Sequence, residues 1–382
     1  MIKRGSKVVC AMSGGVDSSV SAYLLKKKGF EVTGVYMNNW DTVEEGDSLC
    51  SQSKDYLDAQ LACEKLNIKL DVLDCVKTFW NSVFQNMIES YKEGVTIVPD
   101  VLCNKLIKFD ELHQFAIEKH DAVAIATGHY AKNSLGNYLE LSSGKNNNAK
   151  LLRSADPIKD QTYFLALLKS HQLKRAMFPL GDYMKSDVKT LACQIGLDKI
   201  AHKQESMGVC FIGKKKNFNH FLANYLEPKK GDIVEIETNK IIGSHDGCHN
   251  YTIGKKVKIS PDVFQCHEGL FVTKVNAAEN IVYVCQGSRH SSLFSREMLV
   301  NNLSLINDNA KIEDLKNVKC LIQRNQPPVS CQLQKEDNNV YKISLQTCFK
   351  AVGNGQFCVL YNHNECLGGG QIQSASTLYV PT

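Results

Sequence analysis

The sequence predicts an α/β fold: a doubly wound parallel sheet followed by two small β domains. Three observations carry this. Strand-like and helix-like segments alternate through the first half, the pattern of a parallel sheet with helices on both faces. After about residue 214 the pattern changes to short β-branched and apolar segments, among them "GDIVEIE", "LFVTKV", "NIVYVCQG" and "QFCVLY", punctuated by Gly, Asn, Asp and Pro. The chain has 382 residues, too many for one ordinary core. The expected divisions are 1–213, 214–287 and 288–382.

Taken in order, Lys7–Ala11 is a short apolar strand. Ser18–Lys28 has apolar residues at helical spacing and stops at Gly29, a natural helix terminator. Val32–Met37 is the next strand, Ser51–Leu66 a helix, Leu70–Leu73 a strand and Val76–Tyr91 an amphipathic helix. Asp110–Lys119 is a helix and Ala122–Ala126 a strand. The polar stretch "SSGKNNNAK" (Ser142–Lys150) reads as a hairpin tip between Tyr138–Leu141 and Leu151–Leu152. Helical patterns resume at Gln161–Leu168 and Lys185–Ile195. No repeat of 20–50 residues is present. Ligands of such a sheet gather at the C-terminal ends of its strands.

Composition narrows the classes. Hydrophobic residues make up 43% and charged residues 22%, a globular balance. No run approaches the ~20 apolar residues of a membrane span, and no apolar signal segment follows the basic "MIKRGSK" start, so neither membrane insertion nor secretion is expected. The net charge of +5 is mild. Lysine clusters at Lys26–Lys28, Lys214–Lys216, Lys229–Lys230 and Lys255–Lys258 suit solvated faces or, taken together, a polyanion such as RNA. Fifteen cysteines without a single CxxC argue for reduced thiols. His245, Cys248, His249, Cys266 and His267 match no zinc spacing, so no metal centre is expected.

The stretch with the densest chemistry is "VCAMSGGVDSSVSAYLLKKKG" from Val9. A phosphate-binding turn needs free backbone N–H groups, glycines for close approach and a helix N-terminus behind. Ser13 to Ser19 supply these. No lysine follows the glycines, so this is not the G-x-x-x-x-G-K-[ST] loop. Asp17 is unexpected beside an anion; a magnesium ion bridging it to pyrophosphate would reconcile the charges. An Asp/Ser helix cap after a glycine turn is the plainer reading.

SGGVDSS after a strand resembles the pyrophosphatase loop of ATP-dependent adenylating enzymes. "YMNNWD" (Tyr36–Asp41), "PDVLCNKLIKF" around Cys103, "ATGHYA" (Ala126–Ala131), "KDQTYFL" (Lys159–Leu165) and "ESMGVCFIGKKK" around Cys210 then narrow the match. Together they closely resemble the tRNA 2-thiouridylases, most strongly through about residue 290. The spacing after Cys210 resembles the mitochondrial branch. The resemblance implies an adenine nucleotide α-hydrolase-like sheet at 1–213, carrying adenylation and thiolation. It also implies a small central β domain at 214–287 and a β-barrel-like domain at 288–382 that assists tRNA binding. The implied reaction is ATP-dependent 2-thiolation of the wobble uridine. ATP, with magnesium, is bound by Ala11, Met12, Ser13, Gly14, Gly15, Val16, Asp17, Ser18, Met37 and Gly128. Cys210 carries a persulfide, Cys103 is the second thiol, and Asp100 is the proton-transfer group beside the base. RNA contacts fall on Val98, Pro99, Asp100, Lys159, Asp160, Gln161, Lys255, Lys256 and Arg324. Separately from the resemblance, the sequence proximity of Lys105 and Lys108 to Cys103, and of Lys214 to Cys210, suggests that they lower the thiol pKa values. The implied partners are tRNA and a persulfide sulfur-donor protein, for a monomer in the mitochondrion or, alternatively, the bacterial cytoplasm.

Departures from the family pattern concentrate in RNA contacts. Val98 stands where the family has Asn, Lys255-Lys256 replace a Gln-Arg pair, an Arg-aromatic-Arg element is reduced to Arg324, and a Pro-Gly-Gln turn reads Asn354-Gly355-Gln356. Two rivals follow: another adenylating enzyme with the same loop, which would need neither Cys103 nor Cys210, and a catalytically weakened RNA-binding homologue.

Overall fold

A computed structural model describes residues 2–40, 51–141, 148–204, 218–260, 262–337 and 339–380, without the side chains of 51–53 and 219–220. Cys210, Lys214 and most of the "SSGKNNNAK" stretch lie outside these residues.

The first body is built on β1 (Lys7–Met12), β2 (Glu31–Asn38), β3 (Lys69–Asp74), β4 (Ala124–Ala126) and a short β7 (Ala176–Met177). They form one sheet in the order β3-β2-β1-β4-β7, and every pairing is parallel. Val8, Val9 and Cys10 of β1 are all buried, as expected of a strand covered on both faces. β1 bonds to β2 through Met12↔Tyr36 and to β4 through Cys10↔Ala126, so the strand order reverses around β1. Loops after these strands border the crevice where such sheets bind ligands.

Helix α1 (Val16–Lys28) follows β1. It ends at Gly29, whose φ of 89° takes the left-handed conformation that closes a helix at little cost. Lys26, Lys27 and Lys28 occupy its last turn, where cations complement the helix dipole. Helix α2 spans Ser51–Leu66. The amphipathic run expected from Val76 is α-helical at Val76–Phe79 and Gln85–Lys92 but π-helical at Trp80–Phe84. The helix expected from Asp110 begins earlier: an α-turn at Pro99–Leu102 leads into a π-helical stretch, Cys103–Glu111, before Leu112–His120. Gln161–Leu168 shrinks to one 3₁₀ turn, Thr162–Leu165. Helix α3 (Lys185–Gln194) closes the body against α1.

The expected hairpin pairs elsewhere. β5 (Ala131–Asn133) pairs with β6 (Leu151–Arg153), and Tyr138–Leu141 forms no strand. Leu139 has a φ of +56°, and its carbonyl accepts from the N–H of Ile2. Those turns spend the backbone groups a ladder needs.

The central body contains β8 (Gly231–Glu235), β9 (Ile241–His245), β10 (Lys256–Val257), β11 (Leu270–Asn276) and β12 (Ile281–Gln286), ordered β10-β11-β12-β8-β9. The last body contains β13 (Phe294–Leu305), β14 (Lys319–Leu321), β15 (Val329–Asp337), β16 (Val340–Lys350), β17 (Phe357–Asn362) and β18 (Glu365–Thr377). β13 pairs with both β16 and β18, which closes the barrel and removes its edges. The β5–β6 hairpin of the first body joins this sheet through Cys366↔Leu151. The short helix Phe218–Leu222, ahead of the central body, packs on the first body through an aromatic seam. The buried Phe221 ring lies 6.1 Å from Trp40 and 6.0 Å from Phe84.

Candidate active site at the strand ends

The glycine turn follows β1 at the reversal point. Gly15 caps α1 in an extended conformation and makes no side-chain cap hydrogen bond. Gly14 has a φ of +70°, and a Cβ there would lie 2.1 Å from the Asp55 carbonyl oxygen of α2. Only glycine fits both constraints. Ser18 Oγ accepts from the Ser13 N–H at 3.2 Å and donates to the Gly15 carbonyl at 3.0 Å. Ser19 Oγ donates to the same carbonyl at 2.9 Å. These serines brace the turn from inside. Ala11, Met12, Val16 and Ser18 are buried, so Ser13, Gly15 and the backbone present the open face.

Asp17 has partners that the sequence reading missed. Lys185 Nζ lies 2.7 Å from each of its carboxylate oxygens, and Tyr130 donates its hydroxyl at 2.9 Å. Its charge is therefore answered by a lysine of α3. The expected magnesium bridge is not needed to explain it. Lys203 approaches the other side of the turn. It pairs with Asp55 at 2.7 Å and with Asp58, and lies 3.4 Å from the Gly14 carbonyl. Burial pulls its pKa down, but the two carboxylates outweigh that and hold it above the ordinary lysine value. Both lysines come from more than 140 positions away in sequence, and no local pattern marks them.

Gly128 follows β4 and lies against α1: a Cβ there would be 2.8 Å from the Ser18 backbone nitrogen. Close packing on the helix start thus explains this glycine, whatever lies above it. Met37, at the end of β2, is half-buried against the main core. His129 is buried, and its Nδ1 lies 2.8 Å from Thr127 Oγ1. Burial, with a smaller push from Lys108, holds it neutral. Phe109 stacks on the His129 ring at 6.1 Å, joining the Cys103 helix to the loop that carries Gly128.

Val98 is the N-cap of the Pro99–Leu102 turn and has no side-chain cap bond, as a valine must. Asp100 lies in the first turn. Burial raises its pKa above the ordinary value, against opposing pulls from Lys108 and its own N–H. Cys103 is buried at 8% exposure. The nearby Cys75 thiol is pushed up by burial, then by Glu111 and Cys103. Asn104 donates to the Phe164 carbonyl at 3.1 Å, and Arg324 lies 6.0 Å above the Phe164 ring. Arg324 of the barrel and Asn104 of the Cys103 helix thus both meet Phe164.

Two expected RNA contacts bond to the protein's own backbone. Asp160 is buried, and its oxygens accept from the Ser154 N–H at 2.8 Å and from Thr162. It caps a turn, and burial raises its pKa. Gln161 Oε1 accepts from the Tyr130 N–H at 3.0 Å. Asp160 thus braces the turn after Lys159, and the half-buried Gln161 spends its amide oxygen on the Tyr130 backbone. Lys255 and Lys256 are exposed on the central body, and Lys255 donates to the Asn250 carbonyl at 2.8 Å. The His245–His249 turn is a hydrogen-bonded corner: Gly247 N–H donates to His245 Nδ1 at 3.0 Å, and Cys248 contacts Asn280 at 3.3 Å. Among the described residues no group of three could hold a metal ion.

All three bodies meet at Val95–Val98. The Thr96 N–H donates to the Asn354 carbonyl at 3.1 Å, and the Thr96 hydroxyl lies 3.2 Å from that of Thr252. Gly355 packs so closely that a Cβ would lie 2.3 Å from Val95 Cγ1.

Comparison with known proteins agrees with this architecture. Residues 6–214 match the tRNA methyl transferase HUP domain, 219–286 the tRNA methyl transferase PRC-barrel domain, and 295–372 the aminomethyltransferase beta-barrel domain. A probable mitochondrial tRNA-specific 2-thiouridylase 1 of Caenorhabditis elegans is 44% identical over 96% of this chain and 98% of its own. The human mitochondrial tRNA-specific 2-thiouridylase 1 is 37% identical over 96% and 90%. A tRNA-specific 2-thiouridylase of Mycoplasma capricolum is 40% identical over 96% and 98%. With such likeness over nearly its whole length, and with both the glycine turn and the Cys103 helix at the strand ends, the chain belongs to the tRNA-specific 2-thiouridylase family.

Proposed function

We propose that this chain uses ATP and a persulfide to replace the C2 oxygen of a tRNA wobble uridine with sulfur. One observation carries the reading: the packing of Gly128 on α1 and of Phe109 on His129 joins the glycine turn to the helix of Asp100 and Cys103. The uridine O2 attacks the α-phosphorus of ATP, the bond to the β-phosphate oxygen breaks, and pyrophosphate leaves with that electron pair. Asp100, its proton affinity raised by burial, handles the proton of the uracil ring. The N–H groups of Gly14 and Gly15 at the turn hold the phosphates, with Lys185 close by on Asp17. Met37 and Gly128 are assigned to the adenine. Magnesium, if carried in by the nucleotide, would supply charge neutralisation at the phosphates beside Ser13 and Gly15.

The terminal persulfide sulfur of Cys210 then attacks C2, and the C2–O bond breaks to release AMP. Attack of the Cys103 thiolate on the Cys210 sulfur leaves sulfur on C2 and a Cys103–Cys210 disulfide, which an external thiol reduces for the next cycle. The sulfur reaches Cys210 from a donor protein bearing a persulfide. Val98, Pro99, Lys159, Lys255, Lys256 and Arg324 are assigned to RNA, with Asp160 and Gln161 supporting Lys159. The mitochondrial names of animal relatives support a mitochondrial location, and we take the monomer as the working unit.

Incubation with ATP, a sulfide source and unmodified tRNA, followed by nucleoside mass spectrometry, tests the reading. 2-Thiouridine and tRNA-dependent AMP are expected. Cys210→Ser should abolish persulfide-driven thiolation while uridine adenylation persists. A folded protein that binds tRNA and releases no AMP would instead be a non-catalytic RNA binder.

A further inference from the structure

The helix that carries Asp100 and Cys103 changes its winding between them and Glu111. Pro99–Leu102 is an α-turn, and Cys103–Glu111 is π-helical, closing with a bond from the Leu112 N–H to the Ile107 carbonyl. Asp100 and Cys103, three apart, share a face in the α-turn. A regular α-helix would turn position 108 well away from that face, five residues at 100° each. The wider π-turn, bonded i to i+5, brings Lys108 back toward Cys103. Such turns concentrate at functional sites.

Lys108 is half-buried, and among the described residues its ammonium makes no ion pair or hydrogen bond. Its field nevertheless reaches two groups on opposite sides. One is Asp100, on the base side; the other is His129, adjacent to Gly128 on the nucleotide side. Phe109, the next residue, is stacked on His129 and fixes the helix against that loop. The Lys108 field already reaches the Asp100 carboxyl, and an anion placed between base and nucleotide, where the α-phosphate must lie for uridine O2 to reach it, would lie within the same field.

We propose that Lys108 is a catalytic residue of the adenylation step, its ammonium contacting a non-bridging oxygen of the ATP α-phosphate. The contact strengthens as charge redistributes over those oxygens during attack by uridine O2 and loss of pyrophosphate, and it persists on departing AMP. This assignment rests on the adenylation reading above. It replaces the thiolate-lowering role suggested by sequence proximity to Cys103.

The test compares wild type with Lys108→Met and Lys108→Arg in tRNA-dependent AMP release, with melting temperature and tRNA affinity measured alongside. Lys108→Met should lose about 10²-fold or more in kcat, with tRNA affinity changed less than about threefold, and Lys108→Arg should recover part of the rate. ATP bearing sulfur at one α-oxygen gives the specific readout: the rate penalty for that substitution in wild type should shrink in Lys108→Met. If wild type releases no tRNA-dependent AMP, the adenylation reading fails first. If wild type does and a folded Lys108→Met releases AMP as fast, the Lys108 assignment falls. A normal AMP rate with the pH profile of Cys103 alkylation moved upward would return Lys108 to the thiol.

Discussion

Burial raises the Asp100 carboxyl above its ordinary 3.8, so the folded protein holds this proton more tightly than the unfolded chain. Such an acid contributes stability that is fully present below the unfolded value and is lost as pH rises through the folded one. At neutral pH the burial of this carboxyl therefore weighs against folding. Asp100→Asn should raise the melting temperature at pH 7, an advantage that vanishes as the pH is lowered below the ordinary carboxylate value. The same variant should lower thiolation by about 10²-fold or more. Melting curves across pH and a thiolation assay check both halves; a loss of stability at pH 7 would count against the burial argument. At the turn, Lys185 has a different balance. Its side chain is 10% exposed and that of Asp17 33%, so their pair lies between the surface and buried regimes. Lys185→Met should cost roughly 1–3 kcal/mol in urea unfolding and weaken ATP binding measured by calorimetry.

The strand–turn–helix unit of β1 and α1 depends on Gly14. Gly14→Ala forces a left-handed φ on alanine and drives a methyl into the Asp55 carbonyl. It should lower stability by about 2 kcal/mol or more and abolish nucleotide binding, with thermal melts and titration of ATP as the measurements. This unit was legible in the sequence because its signals are local: an apolar run, a glycine pair, and a helix ending at Gly29. Ser51–Leu66 was readable from end to end for the same reason. The π-helical turns at Trp80–Phe84 and Cys103–Glu111 were not, because apolar spacing distinguishes helix from strand but not one winding from another. Leu151–Leu152 was readable as a strand, but its partners were not: β5 lies at Ala131–Asn133 in place of Tyr138–Leu141, and β18 is more than 200 positions away. The inward role of Asp160 was visible as a capping possibility, and Thr162 decided it. The glycine turn was legible as a motif; the lysines at Asp17 and at Gly14 were not, since only the folded sheet brings them there.

At the scale of the molecule, the segment before Asp100 is where three bodies touch, so changes there should alter RNA handling more than nucleotide binding. Gly355→Val would place its side chain against Val95 and the Thr96 carbonyl. It should raise the KM for tRNA several-fold while ATP affinity stays within about twofold, as steady-state kinetics and calorimetry would show. Equal losses in both would mean that the junction supports the whole fold instead. The Tyr163 hydroxyl donates to the barrel carbonyls of Ile322 (3.0 Å) and Phe357 (3.1 Å), buried on the barrel side. A chain cut before Phe294 would strand that hydroxyl and uncover the β5–β6 edge, so it should be recovered as aggregate. The pairing of β6 with β18 also orders events in time. Leu151 is made roughly 200 residues before its partner Cys366. At ~5–20 residues per second that is a wait of about 10–40 s. During that wait the nascent chain carries an unfinished β edge, and only the final strand, made last of all, can seal it.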